Sequence, residues 1–136
     1  MSETYKKYSI QVGIFVCSLD LQHKNDPLIL TEKNSCGTIP SVNYDNKESY
    51  KAACELIEEI TGIKAFDGID GWIILDNKPF LIEEVSKNQL KIVYVSVVPA
   101  VIKLRDESKY EWKKSSLLIN EIKDIKNLII KASNSI

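Results

Sequence analysis

Arginine is almost missing from this chain. Of its 18 basic residues, 17 are lysine, and Arg105 stands alone. Planar, two-pronged clamping of phosphate is an arginine property, so only one position can supply it. Histidine is as scarce: His23, in a polar stretch, is the only one. Catalytic triads and histidine-based metal sites therefore lack their usual parts. Cys17, Cys36 and Cys54 show no CxxC or other close ligand spacing. Their odd number and wide separation argue against a disulfide framework, and Cys17 and Cys54 sit in apolar contexts that suit reduced, buried thiols. No apolar run approaches the ~20 residues of a membrane helix. Charge of one sign is lacking too. A net charge of −1 sets up no field that would draw the chain to nucleic acid or to acidic lipid, so neither is an expected partner.

What is present is an ordinary globular composition. The 136 residues are 44% apolar and 27% charged, which suits one domain over residues 1–136 with a core of its own. Lys6-Lys7 before an apolar run looks like the start of a signal peptide. However, Ile10, Val12, Ile14 and Val16 alternate with Gln11, Gly13, Phe15 and Cys17, which is a strand period, and no small-residue cleavage site follows. A cytoplasmic setting is expected.

The order of elements follows from such patterns. A strand is expected from about Tyr8 to Leu19, a turn through Gln22 to Pro27, and a short strand at Leu28–Thr31. Cys36–Ile39 reads as a third strand stopped by Pro40, and Ser41–Lys47 as a polar loop. Trp72–Leu75 and Pro79–Val85 read as a hairpin turning at Asp76-Asn77-Lys78. Leu90–Val98, apolar on both faces, reads as a central strand. Tyr110-Glu111-Trp112 precedes a helical end, with Leu117, Leu118 and Ile122 on a first turn or two, then Ile125, Leu128, Ile129 and Ala132 at core spacing. The sum is a mixed α/β sandwich, its helices covering a largely antiparallel sheet.

Between the two runs of strands lies Lys51–Ile63. At 100° per residue Ala53, Leu56, Ile57 and Ile60 share one helix face, and Thr61-Gly62 ends it, glycine taking the positive φ of a C-terminal cap. Glu55, Glu58 and Glu59 fall on the other side at i, i+3 and i+4. Hard oxygen ligands so spaced suit Mg²⁺ or Mn²⁺. A solvated outer face reads the same way.

Here the chain resembles the Nudix family, whose box presents glutamates on a loop–helix–loop. Pro40 matches the proline before the box glycines, and Glu48 its first glutamate. Ala52, Glu55-Leu56-Ile57-Glu58-Glu59 and Gly62-Ile63 look like its helix and end. Tyr110-Glu111-Trp112 is similar to the aromatic closing segment of such domains. There are departures: Ser41 and Val42 stand in place of glycines, and Cys54 in place of the arginine. The interval from Glu48 to Glu55 is two residues short, and one extra residue separates Glu59 from Gly62. A second register, aligned on Thr61-Gly62-Ile63, keeps only Glu59. The helix phase favours the first, because it leaves Glu55, Glu58 and Glu59 outside the core, where an unpaired carboxylate is costly.

The resemblance implies an α/β/α sandwich and a metal-dependent pyrophosphohydrolase acting on a nucleoside diphosphate linked to another moiety. Glu55, Glu58 and Glu59 would be its catalytic and metal-holding residues, with Mg²⁺ or Mn²⁺ as cofactor. Glu83, Glu84, Asp106 and Glu107 are candidate bases, Arg105 a candidate phosphate contact, and Trp72 and Tyr94 candidate stacking rings, each with an ordinary structural or surface role as the alternative. Trp112 reads as structural. The departures support the opposite reading, an inactive Nudix-fold protein binding a nucleotide-like ligand or a protein partner. An unrelated α/β domain with an acidic helix is the third. An exposed edge strand gives a homodimer a route.

Overall fold

Strand β1 (Ser9–Ser18) is the axis of the molecule. The computed structural model describes residues 9–18, 26–44, 48–63, 74–75, 78–98, 103–105, 107–122 and 124–134. Along one side β1 runs parallel to β6 (Gln89–Val98), in register from Ser9↔Gln89 to Ser18↔Val98. Its other side is shared. β3 (Ser41–Tyr44) takes the first half, from Ile10↔Tyr44 to Gly13↔Ser41, and β2 (Leu28–Glu32) pairs at Cys17↔Ile29 and Ser18↔Leu28. β7 (Tyr110–Lys114) closes that edge by pairing antiparallel with β2. The far side of β6 is also divided, between β5 (Leu81–Ser86) and β4 (Ile74–Leu75). Every pairing except β1–β6 is antiparallel, as the mixed, largely antiparallel expectation requires.

A helix covers each face. On α1 (Ser49–Thr61) the buried residues are Ala53, Leu56, Ile57 and Ile60, the four that helical phase selected. They meet Val12, Ile14, Val16, Leu30, Tyr94, Val98 and Leu104 in one core cluster. Each large side chain of that stripe contributes about 1.5–3 kcal/mol by burial. On the opposite face α2 (Ile125–Ser133) packs Ile125, Leu128 and Ala132 with Phe15, Cys17, Ile29, Val93, Val95 and Val97. Burial there pushes the Cys17 thiol up to about 12, which leaves it inert. The result is the expected α/β/α sandwich.

Four expectations are corrected. Cys36–Ile39 is not a strand: Asn34 and Gly37 take positive φ, and the chain turns with Ser35 Oγ donating to Glu32 O at 2.6 Å. The polar Ser41–Tyr44 segment, read as loop, is β3. It is held by main-chain pairing to β1, which needs no apolar pattern. Of the hairpin expected between residues 72–75 and 79–85, the described parts do not pair with each other, because β4 and β5 each pair with β6. Leu117 ends a 3₁₀ turn (Ser115–Leu117), and regular helix resumes only at Ile125. Among the described residues no helix is long and apolar enough to cross a membrane.

Candidate functional site

The site is built on the α1 face of the sheet. Glu48 has the extended backbone of an N-cap, and α1 ends where Gly62 turns left-handed at φ 76° and donates to Glu58 O at 2.7 Å. Glu55 and Glu59 are exposed and Glu58 is half-buried, so all three stand off the core as the helix phase demands. β3 lies against α1, so the strand that carries Ser41 and Val42 flanks the acidic helix.

Three details bear on whether these carboxylates form a metal centre. Ser41 and Val42 occupy a regular ladder with Gly13 and Val12, and neither takes the positive φ that glycines there would permit. Cys54 packs against the α1-side core, which leaves that position of the box without a cation. Among the described residues no three His, Cys, Asp or Glu side chains gather into a group able to hold a metal ion. As placed, Glu55, Glu58 and Glu59 by themselves do not make such a group. The three glutamates are neighbours along a solvated face.

Arg105 is exposed, which fits the surface role offered as the alternative to a phosphate contact. Its N–H donates to Ile60 O at 2.7 Å, and its guanidinium lies beside Gly62. The only arginine thus sits at the negative end of the α1 dipole and anchors residues 103–105 to the helix. Tyr94 is buried, its hydroxyl on Ser49 Oγ and its ring tilted against Tyr50. It is a core residue, unable to stack on a base. Glu83 and Glu84 lie on β5, and Glu83 lines a cavity on the α2 side. His23, Trp72 and Asp106 lie outside the described residues.

Sequence reasoning missed a cavity of about 490 Å³ beside the end of α1. Lys33, Lys103, Leu104, Glu107, Tyr110, Glu111 and Trp112 line it. The β2–β7 register explains its aromatic wall: Leu30↔Trp112 and Glu32↔Tyr110 alternate onto the α1 face, so both rings look the same way. Residues 103–105 and 107–109 form the rim, tied down by Arg105 on α1, by Lys33 N–H on Lys109 O at 2.7 Å, and by Lys33 Nζ on Glu107 O at 3.0 Å. Rings with lysines beside them can hold a π-system and an attached anion. None of Glu55, Glu58 and Glu59 lines this space. The period-two spacing of Tyr110 and Trp112 was the available signal; what it lacked was the partner strand.

Neither a protein-family model nor a curated relative matches the sequence. Solved structures do match in shape. The C-terminal domain of mouse MUTYH, solved in complex with human PCNA, superimposes with a TM-score of 0.59 at 12% identity, over 93% of this chain and 86% of that one. The Nudix domain of Shewanella oneidensis NrtR, complexed with ADP-ribose, gives 0.52 at 10% identity, over 80% and 74%. A Nudix-family hydrolase from Clostridium perfringens gives 0.51 at 14% identity, over 94% and 95%. A Sinorhizobium meliloti protein, provisionally described as an oxidoreductase, matches at 0.59 and 11% identity, and this chain spans only 40% of its length. The fold is that of Nudix domains.

Proposed function

We propose that this Nudix-fold chain binds a nucleoside diphosphate derivative in the cavity beside α1 and does not hydrolyse it. One observation carries the reading: two rings and two lysines line a cavity from which Glu55, Glu58 and Glu59 are absent, with Glu107 and Glu111 the acidic side chains of its lining. Tyr110 and Trp112 offer faces for a base. Lys33 and Lys103 offer positive charge for the phosphates, Lys33 with protons to spare beyond its bond to Glu107 O. The strand conformation at Ser41 and Val42 and the core packing of Cys54 support the loss of catalysis. A cytoplasmic setting goes with a ligand of this class.

ADP-ribose, the ligand of the NrtR domain, is the first probe. In EDTA it is expected to raise the melting temperature, since a ligand that binds only the folded state stabilises it. Trp112→Ala should abolish the shift, and no phosphate-containing product should appear on prolonged incubation.

A second reading keeps hydrolysis, favoured by β3 lying against α1 as the resemblance requires. In it Glu55, Glu58 and Glu59 are the catalytic residues and turn inward to hold Mg²⁺ or Mn²⁺. Metal alone would then raise the melting temperature, Glu59→Gln would cancel the gain, and product would accumulate. That result would retire the binding-only proposal.

A further inference from the structure

The other face of the sheet carries a second cavity, of about 280 Å³. It lies between the 36–39 loop, β5, β6 and α2, across the sheet from Tyr110 and Trp112, so the nucleotide reading makes no use of it. Ile39, Leu81, Val93 and Leu128 give it apolar walls, and three charged side chains also line it: Lys91, Glu83 and Glu121.

Two features make this more than a gap under a helix. The first is that opposite charges face one space without cancelling. Lys91 and Glu83 are directly paired in the β5–β6 register and so project from the same face. Even so, among the described residues no ion pair or side-chain hydrogen bond engages either of them. The second is Gly13 on β1. A Cβ there would stand 3.0 Å from Lys91 Cε and 3.1 Å from Ile39 Cδ1. The missing side chain lets the Lys91 stem lie across β1, half-buried, and lets Ile39 close in beside it. Lys91 thereby lies along the cavity wall, its stem covered and its charge within reach of the space.

The lining selects a class of ligand. A simple organic anion would satisfy Lys91 but set its charge against Glu83 and Glu121. A simple amine would reverse the conflict. A small zwitterion with an apolar body satisfies both signs and the walls. We propose that this cavity binds a free α-amino acid with an apolar side chain. Its carboxylate meets Lys91, its ammonium meets Glu83 with Glu121 nearby, and its side chain lies against Ile39, Leu81, Val93 and Leu128.

Calorimetric titration of the full chain with L-leucine, isocaproate and isopentylamine tests this directly, because the last two each lack one charge. L-leucine is expected to bind in the millimolar range or tighter. Each truncated analogue should bind about tenfold more weakly, the scale of one lost charge-assisted hydrogen bond. Lys91→Met and Glu83→Gln should weaken L-leucine by a similar factor while circular dichroism and melting temperature stay at parent values. The analogue series uses the parent protein and needs no variant to fold. Absence of binding by both L-leucine and L-phenylalanine at millimolar concentration would overturn the proposal. So would isocaproate or isopentylamine binding as tightly as L-leucine, or L-leucine binding unchanged in Lys91→Met. The nucleotide reading uses other residues on the other face, so either can fail alone.

Discussion

Two single residues show how far local chemistry runs in this fold. Gly62 was legible from sequence because an amphipathic stripe ends just before it, and it does take the left-handed conformation at φ 76°. The space around it is ordinary, with the Arg105 guanidinium no nearer than 3.5 Å to a built Cβ. Gly62→Ala should therefore cost backbone strain alone, about 1–2 kcal/mol, seen as a melting temperature lower by several degrees. Ser18 was not legible. It continues the Ile10–Val16 alternation into the core, but nothing in the sequence said that its hydroxyl would be buried with no hydrogen-bond partner among the described residues. An unmet hydroxyl is a liability, so Ser18→Ala should leave stability unchanged or raise it by up to about 1 kcal/mol. A urea midpoint measured beside that of Gly62→Ala separates the two signs. Arg105 makes the same point for function, because its scarcity drew attention to phosphate while its position beside Gly62 serves the helix end.

Elements were legible where one face is apolar and opaque where the main chain alone holds them. The α1 stripe and the two-sided β6 follow from periodicity, whereas Tyr110-Glu111-Trp112 alone is too short to show the strand period of β7. Nor does β3 follow from it, because Ser41, Val42 and Asn43 form no such pattern and the segment owes its place to β1. The pairing of β5 was misassigned for a related reason: turn residues suggested a hairpin, whereas Leu81↔Val93 and Ile82↔Ile92 set the register with β6. The candidate site divides in the same way. The glutamates stand out along one helix, but the cavity needs β2, β7 and residues 103–105 and 107–109 together. A clasp between distant segments was equally hidden. Asp26 accepts from Ser115 Oγ at 2.7 Å, Ser116 N–H at 2.8 Å and Ser116 Oγ at 2.7 Å. The Ser116 and Ser115 side chains, then the Ser116 backbone N–H, hold its carboxyl below the ordinary value of 3.8. The folded pKa being the lower one, the clasp stabilises fully above pH 3.8 and loses its contribution as pH falls from there through the folded value. In an exposed setting that contribution is about 1 kcal/mol or less. Asp26→Asn should lower stability by that amount at neutral pH and flatten the acid limb of a stability–pH curve, measured by urea unfolding at a series of pH values.

At the scale of the molecule, β1 gathers partners from the whole chain. It joins β2 and β3, close in sequence, to β6, which lies some eighty residues on, and both helices pack against it. This parallel pairing joins segments far apart in sequence, and its resistance to opening rests on how completely it is buried. Both faces of their shared middle are sealed: Ile14, Phe15 and Val16 on β1 and Tyr94 and Val95 on β6 are each at most 2% exposed. The flanking strands differ. Ile82 on β5 is 61% exposed and Val42 on β3 is 38% exposed, and neither strand is sealed on both faces. Stability should therefore be graded outward from the β1–β6 pair. Native-state hydrogen exchange is expected to show the amides of Ile14–Val16 and Tyr94–Val97 exchanging only through global unfolding, with a denaturant dependence equal to that of equilibrium unfolding. The amides of β5 and β3 should exchange through local opening, about a hundredfold faster or more and with little denaturant dependence. The two cavities sit on either side of the sheet, one against β7, Lys33 and Leu104, the other against β5 and α2. A ligand in either should slow exchange in its own flanking strands and leave the other set unchanged. Equal protection on both sides from a single ligand would mean that the sheet couples the faces, contrary to the graded picture.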